Sequence, residues 1–324
     1  MLHLTCHITI ETASGTVTLE SATEVSIKKD TDVLCDTATI TLPRRVRWKN
    51  AEECPISRGC SVRILLGYNG RNHLAFVGTV RTVSPATPMV IECVDLMAQY
   101  QTQQAVKKSY ASTTLNQLLS DQGIAAQIKG TQSIGAYRVE CNTVSELLDA
   151  LKKQGIRSLM RIGAGTEPVL YAGMAMSATD ARTFSFSNLS NMVSRAGLQY
   201  TPQDSVRFLV RVKNLSTKES GKRSGKSTKP IEVGFADGEL RTFNVINMTE
   251  EEMKTYAGEQ LERLKQGGLS GDFTAFGGEI VDKLDAVHIS LDGTDLGTWQ
   301  VEKNTITWGS SGFRQKITIG TKLS

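Results

Sequence analysis

The sequence predicts a mainly β chain with α+β insertions, and three observations carry that expectation. Short runs with an apolar residue at every second position fill the first 95 or so residues and return after Thr179. Only three stretches switch to helical spacing. One segment of the early β region recurs, without a gap, near the C-terminal end. Period-two alternation broken by Gly, Pro and Asn marks half-buried antiparallel strands.

From the N-terminus, the alternating runs are His7 to Ile10, Val17 to Leu19, Val25 to Ile27, Thr39 to Leu42, Val62 to Leu66, Ala75 to Val80 and Val90 to Cys93. They make residues 1–96 an all-β domain, a small barrel or sandwich. The period then changes. Leu115, Leu118 and Leu119 share a helical face, with Thr113 or Thr114 as cap and Gly123 as stop. Thr143 and Glu146 form a capping box ahead of Leu147, Leu148 and Leu151, and Gly155 ends that helix before strands at Leu159 to Ile162 and Val169 to Ala172. Residues 97–176 are therefore expected to form a small α/β module. Residues 177–324 read as a second β domain with strands at Phe184 to Phe186, Val206 to Val212, Ile231 to Val233, Ala286 to Leu291, Gly297 to Val301, Thr305 to Trp308 and Lys316 to Ile319. A helix over 249–266 interrupts it, opened by a capping box of Thr249 and Glu252 and closed at Gly267.

The 324 residues carry 37 Lys and Arg against 33 Asp and Glu, a formal charge of +4. Residues 213–229 alone hold Lys213, Lys218, Lys222, Arg223, Lys226 and Lys229 with one acid, so +4 minus +5 leaves −1 for the remainder. A Ser/Gly/Lys tract of this kind is a solvated loop, placed by the flanking strands at a sheet edge. Its other reading is an electrostatic contact with nucleic acid or an acidic partner. No apolar run reaches the roughly 18–20 residues of a membrane helix, and the first residues lack the form of a signal peptide. Six cysteines without a Cys-x-x-Cys pair and four scattered histidines provide no zinc spacing and suit a reduced, cytoplasmic product.

The repeat aligns Ile56 to Leu66 with Val281 to Leu291 so that apolar and basic positions coincide. Allowing a shorter following turn sets Gly78 on Gly297, and Val90 to Cys93 against Ile317 to Ile319. Two copies of one β unit in a chain let three chains present six similar units about an axis, since repeated head-to-tail contacts commonly close into rings.

Ala38 to Pro43, Ile56 to Ile64, Gly67 to Gly70, Phe76 to Val80, Ile91 to Asp95 and Gly271 to Thr274, in that order and spacing, resemble bacteriophage tail baseplate hub proteins. The resemblance is to the late control protein D and Mu-like tail hub family, and also to the N-terminal half of type VI secretion spike proteins. It implies two tube-like antiparallel β-barrels per chain plus the α/β module, in a homotrimer whose pseudo-hexameric ring has an axial channel. Such a hub joins the sixfold tail tube protein to the threefold central spike protein, with tape-measure and baseplate-wedge proteins as further neighbours and DNA at most passing through the channel. It implies a virion tail-baseplate location after assembly in the bacterial cytoplasm, without membrane insertion. The chain ends soon after the second barrel, so spike and lytic domains are expected on other polypeptides. Arg44, Arg45, Arg47, Trp48 and Lys49, between two strands of the first barrel, are the candidate contact with tube or subunit, because Arg and Trp anchor protein interfaces.

Enzyme signatures are missing from the sequence. Gly163 to Thr166 lacks the third glycine and the Gly-Lys-Ser/Thr ending of a phosphate loop and reads as a hairpin turn. Gly-x-Ser-x-Gly does not occur. Asp282, Asp285, Asp292 and Asp295 lie at strand ends, where acids are usually turn formers. No catalytic, cofactor or metal residues are assigned.

Overall fold

The computed structural model describes residues 2–43, 48, 54–84, 87–129, 132–174, 178–201, 207–214, 229–245, 248–265 and 268–323. The first β region comprises β1 (Leu4–Thr12), β2 (Gly15–Leu19), β3 (Glu24–Asp30), β4 (Thr37–Thr41), β5 (Ser61–Tyr68), β6 (Arg71–Ser84) and β7 (Val90–Asp95). A 3-10 turn over Leu96–Gln101 leads into β8 (Ser109–Thr114), α1 (Leu115–Asp121), β9 (Gln127–Ile128), β10 (Ser133–Arg138), α2 (Val144–Lys153), β11 (Arg157–Arg161) and β12 (Val169–Gly173). The second β region opens with β13 (Thr183–Ser187) and β14 (Met192–Thr201) and resumes with β18 (Gly268–Phe276), β19 (Ala286–Leu291), β20 (Thr294–Gly309) and β21 (Gly312–Lys322). Between them stand β15 (Phe208–Asn214), β16 (Ile231–Gly234), β17 (Glu239–Val245) and α3 (Glu250–Lys265). The chain is mainly β, with three helices among the described residues set among sheets that are mostly antiparallel, the pairs β9–β12, β13–β19 and β15–β17 being parallel.

The alternation read from the sequence becomes burial. Cys6, Ile8 and Ile10 of β1, Val25 and Ile27 of β3, and Val62, Ile64 and Leu66 of β5 all point into one core. Each such aliphatic side chain contributes roughly 1.5–3 kcal/mol when withdrawn from water. All three helices begin, and α1 and α2 end, where their signals stand; Gly267, the stop read for α3, lies outside the described residues. Thr114 Oγ1 accepts from the Gln117 amide, Thr143 and Glu146 close a reciprocal capping box, and Gly123 (φ 73°) and Gly155 (φ 86°) supply the left-handed residue after α1 and α2. Thr249 and Glu252 cap α3 in the same reciprocal way. The Gly163 to Thr166 segment links β11 and β12, an antiparallel pair, as a hairpin.

The two β regions share one topology. Hydrogen-bonded order in the first is β3, β4, β7, β6, β5, β1, with β2 beyond; in the second it is β14, β18, β21, β20, β19, β13. The ungapped repeat holds to single hydrogen bonds. In the first copy Gly59 N donates to Val80 O, Val80 N to Cys60 O and Cys60 N to Ser57 O. In the second, Leu284 N donates to Val301 O, Val301 N to Asp285 O and Asp285 N to Asp282 O. Gly59 and Leu284 both have positive φ, 91° and 65°. A bulge follows in each copy, between Val80 and Thr82 and between Val301 and Lys303. One detail of the sequence alignment is corrected. Val62 pairs with Gly78 and Val287 with Trp299, so Gly78 corresponds to Trp299 and not to Gly297. Gly78 stands mid-strand, where Val94 O of β7 leaves no room for a Cβ, whereas Gly297 has a positive φ of 94° near the start of β20. The outer strands differ, since β1 runs antiparallel to β5 while β13 runs parallel to β19.

The copies are not separate bodies. β3 pairs antiparallel with the distal half of β20, Asp30 opposite Lys303 through Glu24 opposite Gly309, making one 13-stranded sheet. Ile306, Trp308 and Phe313 from the late chain thereby complete the first core. The α/β module keeps its own core around Leu115, Leu118, Leu147 and Leu151. The inserted sheet, ordered β16, β15, β17, packs Val210, Val212 and Val245 against Met253, Ala257 and Leu261 of α3.

Candidate functional site

Where the first copy, the second copy and the α/β module meet, the structure buries a network of charge. The turn before β19 supplies Asp282, Lys283 and Asp285. Lys29 comes from β3, Asp36 from the entry to β4, Asp95 from the end of β7, Arg161 from the end of β11, and Asp180 and Arg182 from the approach to β13. Lys283 and Asp285 are fully buried, with Arg161, Asp282 and Lys29 nearly so.

The contacts are short and reciprocal. Lys283 Nζ donates to Asp36 Oδ1 at 2.8 Å, and Lys29 Nζ lies 3.1 Å from Asp282 Oδ1. Arg161 forks, with Nη2 on Asp285 Oδ1 at 2.5 Å and Nη1 on Asp180 Oδ1 at 2.7 Å. Arg182 Nη2 reaches Asp285 Oδ2 at 2.9 Å. Backbone amides fill the remaining lone pairs: Ile162 N and Gly163 N donate to Asp282 Oδ2 at 2.9 and 3.1 Å, and Arg182 N donates to Asp285 Oδ1 at 3.0 Å. The hairpin with a superficial likeness to a phosphate loop thus holds a carboxylate of its own chain. On the outer side of the same hairpin Arg63 of β5 donates to Glu167 Oε1 and Thr166 O, at 2.9 and 2.6 Å. The module is thus tied to both copies.

Charges in so dry a place persist only when matched. Burial would raise Asp282, but Lys29, Lys283 and Arg161 outweigh it and hold that carboxyl well below the usual range. Burial would likewise discharge Lys283, yet Asp36 and Asp95 keep its pKa above the ordinary lysine value. Asp95 has no cation of its own. Its oxygens accept from Asp36 N at 3.0 Å and Met97 N at 3.1 Å, and burial together with the Asp36 carboxylate pushes it up to about 7. With Asp95 protonated, Lys29, Arg161, Arg182 and Lys283 face Asp36, Asp180, Asp282 and Asp285, and the cluster is neutral.

Such an arrangement can hold the 13-stranded sheet and the β11–β12 sheet of the α/β module in fixed orientation. Each of those four carboxylates is engaged by a cation. Among the described residues no group of three or more His, Cys, Asp or Glu could hold a metal ion, and no helix is long and apolar enough to cross a membrane.

The sequence-based candidates fall elsewhere. Arg44, Arg45, Arg47 and Lys49 lie outside the described residues, while Trp48 is half-buried against the first core. Lys213 and Lys229 are exposed at the two ends of the basic tract, and Lys218, Lys222, Arg223 and Lys226 lie outside the described residues. Asp282 and Asp285 stand in the turn before β19, where Asp285 Oδ2 accepts from Asp282 N and Asp282 Oδ1 from Lys283 N, and both are in addition buried ion-pair partners, whereas Asp292 and Asp295 are exposed. Lys29, Asp36, Asp95, Arg161 and Arg182 escaped the sequence reading. One signal was available for Lys29, a lysine at a position that continues the inward face of Val25 and Ile27.

No family model matches the sequence, and no curated protein matches it. Solved structures do. A tail protein from Neisseria meningitidis superposes with a TM-score of 0.64 at 13% identity, over 98% of this chain and 97% of that one. The 43 kDa tail protein of prophage MuSo2 from Shewanella oneidensis gives 0.62 at 15% identity, over 97% and 96%. A Francisella PdpA–VgrG complex gives 0.54 at 9% identity, over 99% of this chain and 58% of the matched one. Through nearly its whole length the chain has the fold of these two tail proteins, and it shares that fold with part of a VgrG complex.

Proposed function

We propose that this chain is a structural, non-enzymatic hub of a phage tail or phage-like contractile injection particle. Three copies form a ring in which two barrels per chain present six similar units about an axial channel. One face of the ring meets a sixfold tail tube and the other a threefold spike. The duplicated topology carries this reading, down to matching hydrogen bonds at Gly59 and Leu284 and matching bulges after Val80 and Val301. The buried ionic junction supports it, because a ring transmitting load between tube and spike needs its two units held in one orientation. Full-length coverage of two phage tail proteins supports it as well.

The test is the mass of the purified full-length chain together with class-averaged electron micrographs. A particle of three chains with a central hole and approximate sixfold outline is expected. A compact monomer at every concentration tried, still unable to join tube or spike proteins, would reject the hub.

A further inference from the structure

Within the ionic junction one pair is set apart by its geometry. Lys283 Nζ stands 2.8 Å from Asp36 Oδ1 and 2.8 Å from Asp36 Oδ2. Equal contacts to two oxygens of one carbon put Nζ about 3 Å from Cγ, within the roughly 3–3.5 Å at which a nucleophile is placed to attack. Lys283 is fully buried and Asp36 is 5% exposed, so bulk water does not compete for either group. The amide of Asp30 donates to Asp36 Oδ1 at 3.1 Å, where negative charge would gather in such an attack. Asp95, also buried, accepts from the Asp36 amide through Oδ2 and retains its proton up to about 7. A cavity of about 20 Å³ lined by Asp36 and Asp95 has room for one water molecule.

The neighbouring pair shows what is particular here. Lys29 Nζ lies 3.1 Å from Asp282 Oδ1, and Lys29, Lys283 and Arg161 together hold that carboxyl ionised, which makes its carbon a poor electrophile. Asp36 is shifted the other way by burial. A proton passing from Nζ to Asp36 Oδ2 turns the ion pair into an amine and an acid, and in a dry site that neutral pair is spared the desolvation cost of two charges.

We propose that Lys283 and Asp36 condense in the folded chain into an amide between Nζ and Cγ, losing one water, with Asp95 relaying the proton. The amine lone pair forms the Nζ–Cγ bond while Oδ1 takes up negative charge against the Asp30 amide. Asp95 gives its proton to the Oδ2 hydroxyl and recovers one from the nitrogen. The Cγ–Oδ2 bond breaks, Oδ2 departs as water into the cavity, and Oδ1 closes back to a carbonyl. The three hydrogens of the ammonium end as one on the amide and two on the water, so no activating reagent or oxidant is required. The product ties the entry to β4 in the first copy to the turn before β19 in the second, 247 residues away, with a covalent bond in place of an ion pair.

Intact mass spectrometry of the full-length chain, denatured after standing folded near neutral pH, reads the reaction directly. A species lighter by one water is expected. A tryptic digest should hold a branched peptide joining the Asp36 segment to the Lys283 segment, with cleavage after Lys283 lost. Lys283→Arg keeps the cation without a primary amine and should keep its full mass. Asp95→Asn, shown by circular dichroism to be folded, should condense roughly a hundredfold more slowly than the parent. Equal rates would remove Asp95 from the reaction and overturn the relay. The parent's own mass and digest decide the link even where a variant fails to fold. A parent at full mass at every time sampled overturns the proposal. So does a water loss mapped to Asp237–Gly238 or Asp292–Gly293, where an aspartate before glycine can close into a cyclic imide.

Discussion

The turns before β5 and before β19 have the same backbone and opposite surroundings. Ser57, Arg58 and Gly59 are exposed, whereas Asp282, Lys283 and Leu284 are buried. Both hold a left-handed residue at the same place and close the same hydrogen bonds. Backbone geometry here is set by the strand that follows, and side-chain chemistry by what covers the turn. In the second copy the covers are the β11–β12 hairpin and the first copy itself, so Arg58 has become a buried lysine flanked by aspartates. Its first-copy counterpart still faces water. The difference teaches that duplication preserved the ladder while the added contacts rewrote the charge.

The largest expected effect separates these two turns directly. Lys283→Met removes the cation between Asp36 and Asp95 and should cost about 3–5 kcal/mol of unfolding free energy in a urea titration near pH 8. Arg58→Met, at the matching position, should stay within about 0.5 kcal/mol. Equal losses would mean that the ionic junction does not hold the copies together. Next in size is the left-handed position. Leu284 packs on Leu159 and Tyr171, so Leu284→Ala should cost about 2–5 kcal/mol. A Cβ at Gly59 meets nothing within 4 Å, so Gly59→Ala should cost only the backbone strain of φ 91°, about 1–3 kcal/mol.

A smaller effect sharpens the comparison through pH. In the folded chain Asp95 keeps its proton up to about 7, while the unfolded chain releases it near the ordinary carboxyl value of about 4. Between those limits the folded state binds the extra proton, so the contribution of Asp95 to stability is full below about pH 4 and is lost as pH rises through 7. Asp95→Asn should flatten that part of the stability profile. The first-copy turn holds no such group, and Arg58→Met should leave the slope unchanged. A variant with the same slope as the parent would place the titration elsewhere.

Legibility in the sequence divides along the same line. Strands, helix caps and the repeat were readable because they depend on neighbours two, three or four residues away: Ile8 and Ile10, Thr143 and Glu146, Val62 and Ile64. The ionic junction was not, because Asp36 meets Lys283 and Arg161 meets Asp285 across more than a hundred residues. A pair of aspartates three apart at a strand entry has the same local pattern whether water or Arg161 lies above it. The joint of β3 with β20 was hidden for a similar reason. β20 reads as two short strands with Glu302, Lys303 and Asn304 between them, yet it is one strand that changes partner at its bulge.

The smallest effect on stability is expected where the copies differ most in length. The connection from β4 to β5 runs over residues 42–60, and its counterpart from β18 to β19 only over 277–285. The additional residues include Arg44, Arg45, Arg47, Trp48 and Lys49, so the proposed ring of three chains would carry this cationic segment at three of its six units. Trp48 anchors it on the first core. Replacing Arg44, Arg45 and Arg47 together with Glu shifts the charge by six units per chain, which should leave folding and the mass of the proposed trimer unchanged. Attachment to tube or neighbouring ring should weaken, and more so at low salt, because screening lengths grow from about 8 Å at physiological ionic strength to 30 Å at 0.01 M. Co-sedimentation of the hub with tube protein across a salt series measures this. Attachment equal to the parent's at every salt concentration would remove these arginines from the interface and leave the segment as a solvated connection peculiar to the first copy.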